Sequence, residues 1–243
     1  MESAAQNLHS LYLELGDLKG DFRNYNLYRF ILKRLQGKSI LDIGCGAGHF
    51  LHLVKEKGMT PFGLEENKEL IELSKRLYNE DLGIIQGTAE KLNTLKNTYD
   101  SIVMIDVLEH IENDREILKN MREHLKDNGR IVILVPAYQL LYGKRDKNIG
   151  HFRRYTKSSL TEKIQNSGFK IVEARYWNML GIVPYFIAEK ILKKEFIVGF
   201  RGNKKKGVAG KFLNKTLFAW FNKIENPLSL GFGLSVLVVA EKQ

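Results

Sequence analysis

A glycine-rich loop preceded by an acidic residue is the first group in this sequence that could bind a ligand. The segment Ser39–Gly48 reads Ser-Ile-Leu-Asp-Ile-Gly-Cys-Gly-Ala-Gly, with glycines at alternate positions. Glycines allow positive φ and let a ligand lie against peptide groups with no Cβ in the way. Because a carboxylate repels phosphates, Asp42 favours a cationic ligand group over a pyrophosphate.

A second acid and the glycine spacing refine this prediction. Glu65 ends the next apolar segment, about 20 residues past the loop, where an acid can accept hydrogen bonds from both ribose hydroxyls. The dinucleotide pattern G-x-G-x-x-G would need its third glycine at position 49, where the chain has His49. The loop therefore favours a nucleoside with a cationic group over a dinucleotide.

The elements that must position these groups are short apolar strands alternating with amphipathic helices. The strands are predicted at 40–43, 60–64, 83–87, 99–105, 130–135, 169–176 and 233–240, and the main helices at 49–57, 68–79, 114–126 and 156–167. Two further helices are predicted within residues 1–37. Such alternation is typical of an α/β fold with a parallel sheet.

Two motifs resemble those of the class I S-adenosylmethionine-dependent methyltransferases. Leu41–Gly48 resembles their first motif, and Asp106-Val-Leu-Glu-His110 resembles the fourth motif of small-molecule and quinone-type members. The likeness covers about residues 41–176. It implies a three-layer, doubly wound Rossmann-like sheet of seven mostly parallel strands with an antiparallel last strand. The implied cofactor, S-adenosyl-L-methionine, carries an ammonium and a sulfonium and no phosphate.

The resemblance also implies which residues bind this cofactor. The loop would hold its methionine end, Glu65 its ribose, Thr88 and Ala89 its adenine, and Asp106 would face the methionine part. An aspartate is common in the family where this chain has Thr88. The full set of candidates is Asp42, Gly44, Cys45, Gly46, Gly48, Glu65, Thr88, Ala89, Asp106, Tyr28 and Arg29.

Each weaker candidate has a structural alternative. In the functional interpretation, Tyr28 and Arg29, with Tyr25, close over the cofactor from the leading helix. In the structural alternative, the tyrosines are core aromatics and Arg29 is a solvated arginine. Thr88 is alternatively a helix N-cap. Cys45 is alternatively a small residue that fits the loop.

The long loop 137–155 is predicted to shape the acceptor pocket, because long loops at the carboxyl end of a parallel sheet are where substrates bind. Many family members carry His-x-Arg-x-Phe/Tyr here, matched by His151, Arg153 and Tyr155. The substrate-binding candidates are Tyr138, Tyr142, His151, Arg153, Arg154 and Tyr155. The alternative is a salt-bridged loop that leads into the next helix.

Methyl transfer from a sulfonium is an in-line displacement, in which orientation alone can supply roughly 7–11 kcal/mol. A hydroxyl acceptor must also lose a proton, and the pKa of histidine suits a general base. The catalytic candidates are His151 and His110, with Asp106 third. No metal site is predicted, since no histidine has metal-ligand spacing with a cysteine or second histidine.

Charge is concentrated in one part of this 243-residue chain of net charge +10. Between residues 189 and 223 there are ten Lys or Arg against two acidic residues. We expect an N-terminal helical cap (1–37), a methyltransferase domain (38–176 and 228–243) and a basic, amphipathic helical insertion (177–227). The insertion is alternatively a packed helical hairpin, a lid, or a peripheral membrane-surface contact through 189–223.

The expected partner is a small, anionic or lipid-linked acceptor methylated at O or N, with no nucleic acid. One cysteine and no signal-like N-terminus favour a cytoplasmic location, peripheral to the inner membrane face if the insertion binds lipid. The alternatives are a Rossmann-type NAD or nucleotide-sugar enzyme, a nucleic-acid-binding methyltransferase-like module, and a catalytically dead scaffold. The oligomeric state is left open.

Overall fold

The computed structural model describes residues 22–193 and 215–243. Its helices and strands, in chain order, are α1 Phe22–Leu32, β1 Ser39–Ile43, α2 His49–Glu56, β2 Thr60–Glu65, α3 Lys68–Tyr78, β3 Ile84–Gln86, β4 Tyr99–Ile105, α4 Asp114–Glu123, β5 Leu125–Pro136, α5 Lys144–Asn148, α6 Lys157–Asn166, β6 Phe169–Trp177, α7 Ile182–Phe186 and β7 Ser235–Lys242. Short 3₁₀ turns cover Ala89–Thr94, Leu108–His110, Gln139–Leu141 and Met179–Gly181. Ile187–Ile191 and Phe221–Glu225 are π-helical.

The seven strands of the described chain form one sheet in the order β3-β2-β1-β4-β5-β7-β6. The pairs among β1 to β5 are parallel, and β7 runs antiparallel to both β5 and β6. The order reverses between β1 and β4, where open α/β sheets place a ligand crevice at the carboxyl ends of the strands. The predicted fold class is confirmed.

Alternating residues of the central strands build the two faces of this sheet. On β5, Ile131, Ile133 and Val135 pack with apolar residues of α4 and α6. Val132 and Leu134 face the other way, toward α1 and α2. Because side chains alternate along a strand, one apolar run fills both layers, and the helices of each layer cover one face.

Element ends differ from the predicted ones where pairing extends a strand. Helix α4 was expected to reach residue 126 but ends at Glu123, because Leu125 already pairs with Tyr99 of β4. Strand β5 therefore starts five residues before the predicted Arg130. Strand β7 lies at Ser235–Lys242 instead of 233–240, since its register with β5 places Ser235 opposite Pro136.

The insertion before β7 is helical where it is described. It contains α7 and Ile187–Ile191, and residues 215–220 are also helical and lead into Phe221–Glu225. The predicted helix near residues 8–15 and the lysine-rich stretch 201–206 lie outside the described residues. Within residues 22–193 and 215–243, no helix combines the length and apolar character needed to cross a bilayer.

Candidate functional site

The glycine loop leaves the end of β1 and has the conformation that its glycines permit. Gly44, Gly46 and Gly48 all have positive φ, at 72°, 55° and 74°. A Cβ on Gly44 would also lie 2.4 Å from Cγ2 of Val107, which follows β4. Position 44 thus requires glycine both for its backbone conformation and for the close approach of Val107.

Glu65 ties the end of β2 to this loop. Its Oε2 accepts a hydrogen bond from the backbone N–H of Gly46 at 2.8 Å, and its Oε1 accepts one from Asn67 at 2.9 Å. A carboxylate has about four lone-pair sites, so both oxygens retain acceptor capacity for ribose hydroxyls. The ribose-binding role of Glu65 stays a prediction that this geometry permits.

Asp42 is the most electrostatically unusual group of the loop region. It is 3% exposed, and burial together with the nearby Glu65 raises its pKa well above the usual range. Burial also raises the pKa of Glu65, and burial, Asp42 and Glu65 all raise that of the Cys45 thiol. A cation placed between the two acids would relieve their repulsion, which fits the ammonium of S-adenosylmethionine.

Asp106 follows β4 with a positive φ of 53°, and its side chain is 41% exposed. Arg23 of α1 approaches it, with Nη1 and Nη2 both 3.4 Å from Oδ2. The Nε of Arg23 is buried and has no hydrogen-bond partner in the described part of the chain. A buried arginine with spare donors therefore orients Asp106 at the carboxyl edge of the sheet.

Tyr28 and Arg29, the candidates on the leading helix, have different surroundings, and their contact with the cofactor stays a prediction. Tyr28 is 8% exposed and packs edge-on against Phe50, within the core between α1 and α2. Arg29 is exposed and lies over the ring of Tyr25. These positions match the structural alternative for both residues, and Arg23 is the residue of α1 that meets the sheet edge.

Thr88 and Ala89 lie where the polypeptide leaves β3, and both are half-buried. Thr88 precedes the 3₁₀ turn Ala89–Thr94, but its side chain makes no capping hydrogen bond. Thr88 therefore occupies the N-cap position without capping the turn through its side chain, and its contact with adenine stays a prediction.

Non-glycine residues with positive φ follow three strands of the sheet that run in the same direction. Asp106, Tyr138 and Asn178 come after β4, β5 and β6 and have positive φ of 53°, 61° and 66°. Positive φ costs free energy for a side-chain-bearing residue, most of all for a bulky tyrosine, and such strain collects at functional sites. The carboxyl edge of the sheet is therefore where this fold holds its backbone under strain.

His151 is held by Asp146, which precedes it on the acceptor loop. Its Nδ1 lies 2.8 Å from Oδ1 of Asp146, and its side chain is 8% exposed. Although burial alone would raise the pKa of Asp146, hydrogen bonds from His151 and Arg154 lower it well below the usual range. Asp146 is therefore ionised, and it can only accept a hydrogen bond from His151.

The structure brings His151 next to Glu109 and His110, which lie far before it in the sequence. The two imidazole rings contact edge to face, with centroids 4.5 Å apart. Glu109 is fully buried, and neither of its carboxylate oxygens has a hydrogen-bond partner among the described residues. Burial, followed by the charge of Asp106, raises the pKa of Glu109.

One ligand atom from each of these three residues lies within 4.8 Å of the others, so the group could hold a metal ion. The spacing of the histidines in the sequence did not predict that His110 and His151 would lie together. Desolvation of the ring, and then His151, lowers the pKa of His110 to about 4, even though much of the residue is exposed. His110 is therefore neutral at physiological pH.

The charged candidates of the acceptor loop are engaged within the protein. Arg153 donates to the carbonyl groups of Ile111 and Glu112 and pairs with Asp114 at 3.0 Å. Arg154 is 7% exposed and binds Asp146. These contacts match the salt-bridged alternative, and direct binding of an anion by either arginine stays a prediction.

The three tyrosines of the loop differ in their surroundings. Tyr155 is 1% exposed and donates to Asp114 at 2.9 Å. The hydroxyl of Tyr142 donates to the carbonyl oxygen of His151 at 2.6 Å. Tyr138 stacks on Tyr176 with centroids 5.0 Å apart and is half-buried, as Tyr142 is.

Sequence reasoning missed four residues at this edge. Arg23, Glu109, Asp146 and Tyr185 are buried polar groups that contact or adjoin the candidate residues. Glu109 lay inside a recognised motif, and Asp146 lay five positions before His151. Arg23 and Tyr185 carried no local signal, because only the fold brings α1 and α7 to this edge.

A family model for a methyltransferase domain matches residues 20–174, well over half of the chain. The mitochondrial ubiquinone biosynthesis O-methyltransferase of Schizosaccharomyces pombe is 33% identical over 111 residues, which cover 43% of this chain and 40% of that protein. The corresponding protein of Rickettsia canadensis is 27% identical, over 56% of this chain and 64% of its own length. The chain therefore spans less than two thirds of either relative.

Solved structures share the fold. A SAM-dependent methyltransferase from Archaeoglobus fulgidus aligns over 90% of this chain and 92% of its own, with 22% identity and a TM-score of 0.59. A Thermotoga maritima enzyme, described as a possible histamine N-methyltransferase, aligns over 91% of both chains with 16% identity and a TM-score of 0.55. The chain belongs to the methyltransferase-domain family and shares the fold of solved S-adenosylmethionine-dependent methyltransferases.

Proposed function

We propose that this enzyme transfers a methyl group to a hydroxyl oxygen of a small, lipid-linked acceptor, with His151 as the general base. The observation that carries the proposal is the packing of His151 against His110, which lies in the turn that follows β4 and Asp106. Both relatives named above are O-methyltransferases by name. The binding residues on this chain would be Asp42, the glycine loop, Glu65 and Asp106.

In the reaction, S-adenosylmethionine supplies an electrophilic methyl group, and its sulfur keeps the electron pair of the broken C–S bond. The protein holds the acceptor oxygen in line with that bond. The Nε2 of His151 takes the hydroxyl proton as the oxygen attacks, leaving an imidazolium beside Asp146. His110, whose ring contacts that of His151, is the alternative proton acceptor, and the experiment below separates the two.

The lipid-linked acceptor is inferred from two features. Arg153 and Arg154 are occupied by internal partners, which weakens the hypothesis of an anionic substrate clamp. Beyond Tyr185 of α7, the insertion exposes apolar side chains, namely Leu180, Val183, Phe186, Ile187, Ile191 and Leu192. An exposed apolar surface of this kind is typical of sites that bind lipid or protein.

The experiment is transfer of an isotopically labelled methyl group from S-adenosylmethionine to 4-decylcatechol, 3,4-dihydroxybenzoate or decylamine. We expect label in the catechol ether, with the alkylated catechol preferred over the benzoate. His151→Ala should lower kcat by about 10²-fold or more, as loss of a general base does, with little change in cofactor affinity. Methylation of the amine alone, or a larger loss with His110→Ala, contradicts the proposal.

A further inference from the structure

His151 lies in a buried polar network that links the acceptor loop to the insertion. Asp146 at its centre is 1% exposed, and its Oδ1 contacts both His151 Nδ1 at 2.8 Å and Arg154 Nε at 2.9 Å. Its Oδ2 accepts from the backbone N–H of Gly143 at 2.8 Å and from the hydroxyl of Tyr185 at 3.0 Å. Arg154 also donates to the Tyr185 hydroxyl.

These contacts decide which nitrogen of His151 carries the proton. An ionised carboxylate only accepts hydrogen bonds, so the Nδ1 of His151 must donate to Asp146. Nε2 is then the unprotonated nitrogen, and it lies 3.7 Å from Oε1 of Glu109, on the side where the ring meets His110. The backbone N–H of His151 also donates to the carbonyl oxygen of Asp146 at 2.9 Å, which fixes the ring's attachment point.

We propose that Asp146 is the positioning residue that keeps His151 in the Nδ1–H tautomer, so that Nε2 is free to accept the acceptor's proton. Tyr185 and Arg154 hold Asp146 in place, so that the insertion helix takes part in presenting the base. This inference rests on the proposed role of His151. Aspartate fixes a histidine base in the same way in hydrolytic triads, where the asparagine variant selects the wrong tautomer.

The chain offers a matched control for this role. Asp114 is also a buried carboxylate in a tyrosine–cation network, accepting from Tyr155 at 2.9 Å and pairing with Lys163 and Arg153 at 3.0 Å. None of these three partners is a histidine. Asp114→Asn therefore perturbs a comparable network, which joins α4 to the end of the acceptor loop and to α6, without affecting the tautomer of His151.

The test is ¹⁵N NMR of the histidine side chains, together with steady-state kinetics on 4-decylcatechol. Wild type should show His151 protonated at Nδ1, and Asp146→Asn should shift it to Nε2–H. We expect kcat of Asp146→Asn to fall by about 10²-fold, with the Kd of S-adenosylmethionine changed less than about twofold. Asp114→Asn should keep both the tautomer and the kcat per folded molecule.

Three results would overturn the inference. They are an Nε2–H tautomer in the wild type, an unchanged tautomer in a folded Asp146→Asn variant, and an equal fall of kcat in Asp114→Asn. The wild-type spectrum decides even if Asp146→Asn does not fold. Absence of methyl transfer by a wild type that has the Nδ1–H tautomer would instead refute the proposed function and leave the positioning role standing.

Discussion

At the scale of single residues, the buried pair Asp42 and Glu65 makes cofactor binding depend on pH. Burial raises the pKa of both carboxyl groups, so each takes up a proton at a higher pH than an exposed acid does. Only the ionised forms attract an ammonium. The affinity for S-adenosylmethionine should therefore fall as the pH is lowered from about 8 to about 5, which calorimetric titration measures.

The control for this prediction is Glu162→Gln, which removes an exposed acid on α6 and should leave the pH dependence unchanged. A wild-type affinity that is constant over this pH range would show that neither acid faces the cofactor's cation. The sequence predicted Asp42 and Glu65 as binding residues from their positions near the carboxyl ends of β1 and β2. The repulsion between the two carboxylates could be recognised only in the structure, because it depends on their burial.

At the scale of elements, Glu189 fastens the insertion to the acceptor loop. It is 7% exposed, and its Oε2 accepts from the backbone N–H groups of Lys144 and Arg145 at the start of α5. Glu189→Ala leaves these donors without that acceptor, so the free energy of unfolding should fall by about 1–3 kcal/mol in urea titrations. Since α5 carries Asp146, kcat should fall as well.

Glu72→Ala is the matched control, because Glu72 forms an exposed pair with Lys75 that is worth less than about 1 kcal/mol. Equal effects of the two variants would contradict the anchoring role of Glu189. The strands that carry the site could be predicted from their apolar patterns, whereas the link between Ile187–Ile191 and α5 could not. Contacts between segments distant in sequence produce no periodic residue pattern in either segment.

At the scale of the whole molecule, the insertion combines apolar exposure with the chain's excess of positive charge. Val183 and Ile191 are 63% and 61% exposed, and ten of the 38 basic residues lie between 189 and 223. Because cationic, apolar surfaces bind anionic bilayers, the protein should float with vesicles containing phosphatidylglycerol, and Val183→Ser with Ile191→Ser should reduce this binding severalfold.

Val172→Ser is the control for this flotation experiment, since Val172 is a 49% exposed residue on β6 outside the insertion. If the double variant binds vesicles as well as the wild type does, Val183 and Ile191 do not contact the bilayer. The fold class could be predicted from the order of helices and strands together with the resemblance to the methyltransferase family. The basic composition of the insertion was visible in the sequence, but which of its apolar side chains face outward was not.

The central claim is that S-adenosylmethionine binds at the carboxyl edge of the sheet, with its cationic end beside Asp42. Isothermal titration of the wild type and of Asp42→Asn at neutral pH tests it most directly, with NAD as the comparison ligand. The account predicts saturable binding of S-adenosylmethionine, none of NAD, and an affinity at least about tenfold lower in the variant, equivalent to ~1.4 kcal/mol. Equal affinities in the two proteins, or binding of NAD alone, would contradict it.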